Sequence, residues 1–428
     1  MRVGIVHDYL AQSGGAERVV EAMHPIWPDA PIYTSVYDPK ATLPCFAEMD
    51  IRTSFLQRWA KGSAVHKFAL PLYPLAFEMF DLSGYDLIVS SASSFAKGVI
   101  TAPETCHVCY CHTPSRFAWR FHEYMAQGGY SPMVRRALAL MIHSLRTWDY
   151  QCANSRVDYF VANSYNVARR IRKYYNRESV VIHPPVNTDR FTVAAEPAAD
   201  YFLIVSRFLS YKRVDLAVQA CNLLNVPLKV VGGGPDEKRL RAMAGPKTEF
   251  LGRLPDADVA HLMANCKAFL FPGEEDFGIA PLEAMAAGRP VVALKAGGAL
   301  ETVIAGETGL FFDDPTPESL AEVLRQVDVL AIDPRRVRAH AEAFDTRHFQ
   351  DRMRRFVEAS CEKHTSRYDR IGRGGANDIG AFSDAVAFSD PRLPSGHRDD
   401  ETCRLSGNGV HANGTSEDVK RISVVAER

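Results

Sequence analysis

Twice along this chain a series of short apolar runs alternates with helical patterns, and that alternation constrains the fold more than any other feature. The first series opens with VGIVH at residues 3–7 and continues through PIYTSV, DLIVSS, HVCYCH and DYFVA, with longer, partly helical segments between them. The second comprises YFLIVSR, LKVVGG, TEFLG, KAFLFP and RPVVAL, interleaved with LAVQACNLL, DEKRLRAMA, DADVAHLMA and APLEAMAAG. Apolar strands separated by helices belong to parallel sheets covered on both faces. The expected fold class is therefore α/β, with two doubly wound, Rossmann-like domains. Ligands of such sheets bind beyond the carboxyl ends of the strands, so two facing sheets would share a site in the cleft between them.

The expected boundaries follow from composition. A first domain covers residues 1–182, and the proline-marked IHPPVNTDRF with the low-complexity AAEPAAD supplies a linker at 183–198. The second domain covers 199–345, and FDTRHFQDRMRRFVEASCEK reads as a closing amphipathic helix at 346–363. From His364 the chain turns polar and glycine-rich with few aromatics, so 364–428 is expected to be a disordered tail. Asn413-Gly-Thr fits a glycosylation sequon, which means little without a signal peptide. Apolar residues make up 46% of the 428, ample for two cores. A formal net charge of −1 excludes a global field that would recruit nucleic acid or an anionic membrane. Nine cysteines, an odd count, and a start without a secretory pattern point to a reducing, cytoplasmic setting. No uncharged apolar run approaches the roughly 18–20 residues needed to cross a bilayer.

The densest chemistry lies in EEDFGIAPLEAMAAGRPVVA. KAFLFP delivers the chain into the loop GEEDFG, and Pro281 suits the first turn of the next helix, where its missing N–H is not needed. Glu275 then sits on the loop and Glu283 in the first helical turn, with Gly288 ending the helix. Two carboxylates aimed into one cleft suit sugar chemistry, since each can accept hydrogen bonds from vicinal hydroxyls. Taken singly, Glu283 is equally a helix-dipole complement and Glu275 a solvated loop acid. In VSRFLSYKRVDLAV, Arg207 follows an apolar strand and Lys212 precedes a helix, a plausible diphosphate clamp or else ordinary surface charge. Ser13-Gly14-Gly15 follows the first strand, and glycines there let backbone N–H groups approach a phosphate or sugar, or merely make a turn.

Cys106, Cys109, Cys111 and His112 crowd one segment and invite a zinc reading. No second Cys/His pair stands at finger spacing, and strand alternation splits Cys109 from His112, so no metal is expected there. His112, at the end of its strand, is instead a cleft residue or a satisfied structural histidine. KFALPLYPLAFEMF and VRRALALMIHSLRTW mix apolar and basic residues, as membrane-surface helices do, although core helices look alike.

Taken together, these residues resemble the retaining glycosyltransferases of family 4, which have the GT-B fold. The resemblance runs from residue 1 to about 360 and is strongest at Glu275-x7-Glu283. SRFLSYKRVD, VVGGGPD, FLGRLPD, GGALETV, ETGLFF and HPPVNTDRF support it in order. The amino-terminal half, with HDYLAQSGGAERV, SFLQRW, DLSGYDLIVSSASS and CYCHTPSRFAW, is similar to bacterial polysaccharide-assembly members, several of them mannosyltransferases. The resemblance implies that Arg207 and Lys212 hold the donor diphosphate and stabilise it as it departs. It implies Glu283 on the ribose and Glu275 on the transferred sugar, helped by backbone N–H groups of Phe277, Gly278 and Ile279. Gly14 and Gly15 would approach the phosphates from the other domain, His112 would contact the sugar, and Arg253 would lie near the base. It further implies a GDP- or UDP-linked sugar donor, a lipid-linked saccharide acceptor met at the inner membrane, and neither cofactor nor metal. Two other readings stay open: an enzyme making a soluble glycoside such as a sucrose-type disaccharide, and a non-catalytic sugar-nucleotide-binding protein.

Overall fold

A computed structural model describes residues 1–59, 70–121, 131–194, 199–327 and 332–372, all within one compact unit spanning Met1–Ser389. Seven parallel strands form the first sheet: β1 (Val3–His7), β2 (Ile32–Thr34), β3 (Ile51–Thr53), β4 (Leu87–Ala92), β5 (Cys106–Cys111), β6 (Tyr159–Ala162) and β7 (Val180–Val181). Their order is β3-β2-β1-β4-β5-β6-β7. The second sheet has six: β8 (Phe202–Arg207), β9 (Leu228–Gly233), β10 (Thr248–Gly252), β11 (Ala268–Phe271), β12 (Val291–Leu294) and β13 (Gly309–Phe312), ordered β10-β9-β8-β11-β12-β13 and again all parallel. The α/β class with two Rossmann-like sheets is thus as the alternation implies.

The central strands β1, β4, β5, β11 and β12 are buried at every residue, which is why they read as continuous apolar runs. Helices start where short polar side chains can cap them. Ser164 Oγ accepts from Val167 N at 3.1 Å to open helix Tyr165–Tyr175, and Thr316 accepts from Ser319 N to open helix Pro317–Gln326. Asn176 ends the former in the left-handed region at φ 54°, a conformation asparagine tolerates.

Three short strands fall outside the two series of apolar runs. β3 and β7 have only three and two residues and lie at sheet edges, and β13 is a four-residue strand at the outer edge of the second sheet. The closing helix also differs from expectation. It spans Thr346–Gly372, past the expected end at 363. Phe349, Met353, Phe356 and Val357 on this helix pack with Ile5, Val108 and Tyr110, so the chain returns to the first domain. Residues 373–428 lie outside the described residues, as do 195–198 of the linker.

The two chain crossings between the domains are laced together. Val186 N donates to Phe344 O at 2.9 Å, Thr346 N donates to Val186 O at 3.1 Å, and Thr188 Oγ1 donates to Asp345 Oδ2 at 2.6 Å.

Candidate functional site

Parallel strands share a carboxyl edge, and in each sheet that edge carries the candidate residues. β8 ends at Arg207, and β11 ends at Phe271 and feeds the GEEDFG loop; across the cleft, β1 leads to Gly14-Gly15 and β5 to His112. The loop turns into its helix at Gly278, whose φ is +89°; a Cβ there would stand 2.5 Å from the Phe271 ring, so only glycine fits. The helix spans Ile279–Ala286 and carries no acid in its first turn. Glu283 therefore sits one turn further in than expected, and a helix-dipole role no longer accounts for it.

Lys212 Nζ lies 2.5 Å from Glu275 Oε2, with both side chains largely shielded. Two close approaches fix the loop that carries this pair. Gly298 N donates to Glu275 O at 2.8 Å, and a Cβ on Gly273 would stand 2.6 Å from Tyr211 O. Asp276, the next residue, reaches the other domain, where Arg116 and Arg170 both pair with it. Arg116 also lies over the Tyr211 ring at 5.1 Å. Burial disfavours the Arg116 charge, but Asp276 outweighs it and the guanidinium pKa stays raised. Phe277 stacks on His183 of the crossing segment with centroids 5.2 Å apart. Glu301 completes this seam by accepting from Tyr165 N and Asn166 N at 2.8 and 2.9 Å, capping a first-domain helix from the second domain.

On the opposite wall, a Cβ on Gly15 would stand 3.2 Å from Ile279 Cδ1, so the glycine loop faces the start of the Ile279–Ala286 helix. A polar chain runs behind it. Arg207 Nη1 donates to Gln12 Oε1 at 2.7 Å, and Gln12 Nε2 donates to Glu17 Oε1 at 3.1 Å. That same oxygen lies 3.7 Å from His7 Nε2. His7 Nδ1 is 3.1 Å from Ser91 Oγ, which is 2.8 Å from His112 Nε2. Arg207 and His112 thus stand at the two ends of one network. Burial first, and His7 second, push the His112 pKa down to about 3, so its imidazole is neutral throughout the physiological range. Burial would raise Glu17, but the nearby His7 ring and the hydrogen bond from Gln12 hold it below the usual carboxylate range.

Glu283 is raised by burial, against the lowering influence of Arg190 and Arg18. Those two arginines both reach Asp256, at 2.7 and 2.6 Å, so a second ionic seam joins the domains beside Glu283. Arg253 is exposed and lies over the end of β9, its Nε 3.8 Å from where a Cβ of Gly233 would be. The cysteine cluster divides by strand face. Cys109 and Cys111 enter one core with Phe160 and Tyr175, while Cys106 faces the other with Tyr110.

Asp276 was hidden in plain sight as the third acid of EEDFG, and its value comes only from the pairing of Arg116 and Arg170 across the cleft. Gln12, Glu17, His7 and Ser91 gave no signal, because polar residues on β1, the loop and helix after it, and β4 have meaning only once these elements lie alongside one another.

Comparison with known proteins agrees with this architecture. The family "Glycosyltransferase Family 4" matches residues 13–190, and "Glycosyl transferases group 1" matches residues 185–343. The chain is 26% identical over 405 residues to the human alpha-1,3/1,6-mannosyltransferase ALG2, a match covering 80% of this chain and 92% of that one. It is 32% identical over 158 residues to the O-antigen chain mannosyltransferase C of Escherichia coli, covering 33% of this chain and 43% of that one. Some matches are partial, and one curated glycosyltransferase is spanned over about half its length, 52%. Among solved structures, Anabaena HepE in complex with UDP-glucose superposes with a TM-score of 0.63 at 18% identity, covering 84% of this chain and 100% of that one. Two consecutive family matches on two facing parallel sheets identify the chain as a GT-B glycosyltransferase of the family 4 type.

Proposed function

We propose that this chain is a retaining hexosyltransferase that moves mannose from a GDP- or UDP-linked donor to a lipid-linked saccharide during bacterial exopolysaccharide or O-antigen assembly. The observation that carries the reading is the ion pair of Lys212 with Glu275 at the mouth of the second sheet. A cation for a diphosphate and a carboxylate for sugar hydroxyls stand side by side, where the bond between sugar and phosphate would lie.

In this reading the donor diphosphate takes Lys212 over from Glu275 and Arg207 over from Gln12. Glu275 is then free to accept hydrogen bonds from the sugar, while Phe277, Gly278 and Ile279 offer backbone N–H groups at the start of their helix. Lys212 and Arg207 stabilise negative charge as the nucleoside diphosphate departs. Gly14 and Gly15 let the first domain come close to the phosphates. Glu283 accepts from the ribose hydroxyls, and Arg253, over the end of β9, lies beside the base. His112 is neutral and contacts the sugar without adding charge. The choice of mannose rests on the mannosyltransferase relatives, human and bacterial.

The acceptor side is supported by an apolar and basic surface. On helix Pro132–Ser155, Met133, Val134 and Leu140 are exposed beside Arg135 and Arg136. Among the described residues, no helix is long and apolar enough to cross a membrane, so the contact proposed is peripheral. KFALPLYPLAFEMF lies in part outside the described residues, but its Leu75 and Met79 are exposed.

A thermal-shift screen over GDP- and UDP-sugars tests the donor, since the correct one raises Tm most. Transfer of labelled sugar to lipid extracts then tests the acceptor. No donor-dependent shift together with no transfer would sink the proposal.

A further inference from the structure

At the end of β5 opposite His112, far along the strand from the cleft, three ligand-type side chains converge. The Cys106 sulfur, an Asp158 carboxylate oxygen and a His364 ring nitrogen all lie within 4.8 Å of one another. They come from three parts of the chain: the start of β5, the turn before β6, and the last helix. A fourth ligand-type side chain is at hand, because Cys361 packs against the same core cluster as Cys106. Cys361 and His364 are three residues apart on the Thr346–Gly372 helix, and so share one face of it.

We propose that Cys106, Asp158, Cys361 and His364 form a structural zinc site that fastens the last helix to the first sheet. The donor set is chemically suited to it. Two thiols with an imidazole and a carboxylate favour zinc over magnesium or calcium, and four ligands complete a closed tetrahedral site. In such a site neighbouring ligand atoms stand roughly 3.3–3.8 Å apart, so Cys106, Asp158 and His364 need to close by only about an ångström, with Cys361 turning in from the same helix face as His364.

The outer shell is already made. His364 Nε2 lies 3.2 Å from Pro103 O, and its Nδ1 faces Asp158 Oδ1 at 3.7 Å, too far for a hydrogen bond between them but right for two ligands of one ion. The other carboxylate oxygen, Asp158 Oδ2, accepts from His107 N at 2.8 Å, which orients the side chain and leaves Oδ1 facing the group. Asp158 N in turn donates to His107 O at 3.0 Å. Cys106 is buried, whereas Asp158 is about one-third exposed, which leaves an entry path from solvent.

The consequence is mechanical. The last helix leaves the second domain at Asp345 and packs on the first sheet through Phe349, Met353, Phe356 and Val357. Zinc at its far end would hold the helix to the sheet beyond that apolar contact, and so fix the return crossing on which both domains depend.

The test uses the full-length protein, stripped with a chelator, reduced, and titrated with zinc alone. One zinc per chain by mass spectrometry and a rise in Tm of roughly 5 °C or more at saturation are expected. Cobalt in place of zinc should give a thiolate-to-metal charge-transfer band, a readout that requires no variant. Cys361→Ser and His364→Gln should lose the bound zinc and its Tm rise while keeping their response to nucleotide sugar, and Cys45→Ser should keep both. Absence of stoichiometric zinc in the wild-type protein overturns the proposal, as does equal zinc in the two variants. A Cys106–Cys361 disulfide that, once reduced, takes up no zinc overturns it in favour of a redox pair.

Discussion

Lys212 and Glu275 form one ion pair, 2.5 Å from Nζ to Oε2, although they arise from loops after different strands of the second sheet. The cation proposed for the diphosphate and the acid proposed for the sugar therefore neutralise each other until the donor separates them. Lys212→Ala and Glu275→Ala should each lower turnover by about a hundredfold or more, the scale of losing one group that stabilises developing charge. The double variant should lose little beyond the worse single one, because the two groups act as a unit. Initial rates of sugar transfer decide this, and unchanged rates in both single variants would exclude the assignment.

Asp276 joins the two domains by accepting from Arg116 and Arg170 at once. Asp276→Asn keeps the shape but removes the charge, leaving the two first-domain arginines side by side against a neutral amide. A loss of about 2–3 kcal/mol in urea unfolding is expected, as for a charged hydrogen-bonded group whose partners stay shielded. Small-angle scattering should also show a more open molecule. A change below about 0.5 kcal/mol would mean that the pair lies in effect on the surface.

Much of this was legible beforehand, for physical reasons. Central strands such as β4 and β11 are buried on both faces, so their apolar runs announce them. β3 and β7, at the edges, bury too few residues to leave a pattern. The EEDFG run pointed to a loop at a strand's carboxyl end, because local spacing sets where a loop leaves a sheet. It did not reveal which acid does what. Glu275 turns toward its own domain and Asp276 toward the other, and that division depends on arginines more than a hundred residues away. Cys106 shows the same limit: its neighbours in sequence enter another core, and its partners lie on the last helix.

Two buried histidines should make the fold sensitive to mild acid. Burial lowers His107 to about 4 and His112 to about 3, while the unfolded chain titrates near about 6.5. Both are neutral in the fold, so their contribution is fully present above pH ~6.5 and is lost as pH falls toward the folded values. Between pH 7 and 5.5 each should cost about 1.3 kcal/mol, near 2.5 kcal/mol together. Glu283 opposes this, because its raised carboxyl binds a proton more readily in the fold and gains stability as pH falls. Urea unfolding followed as pH falls should therefore show a steeper loss in Glu283→Gln than in the wild type. A flat profile in both proteins would contradict the burial of the histidines.

Ser91 is the link whose loss separates positioning from direct contact. Its hydroxyl lies between His7 Nδ1 and His112 Nε2, so it determines which nitrogen of His112 keeps a proton. With His7 donating from Nδ1, Ser91 donates to His112 Nε2, and the His112 proton resides on Nδ1. Ser91→Ala removes that relay and leaves the buried His112 Nε2 without its partner, while His7 Nδ1 keeps the backbone carbonyl of residue 91 at 3.2 Å. Turnover should fall about tenfold with little change in KM for the donor, since the histidine remains but its tautomer is no longer fixed. Ser91→Thr, which keeps the hydroxyl, should restore most of the rate if the extra methyl is accommodated. His112→Ala, by contrast, should change both parameters because it removes the sugar contact itself. If Ser91→Ala instead raised KM and left turnover intact, the network would serve donor binding at Arg207 rather than the chemistry beside His112.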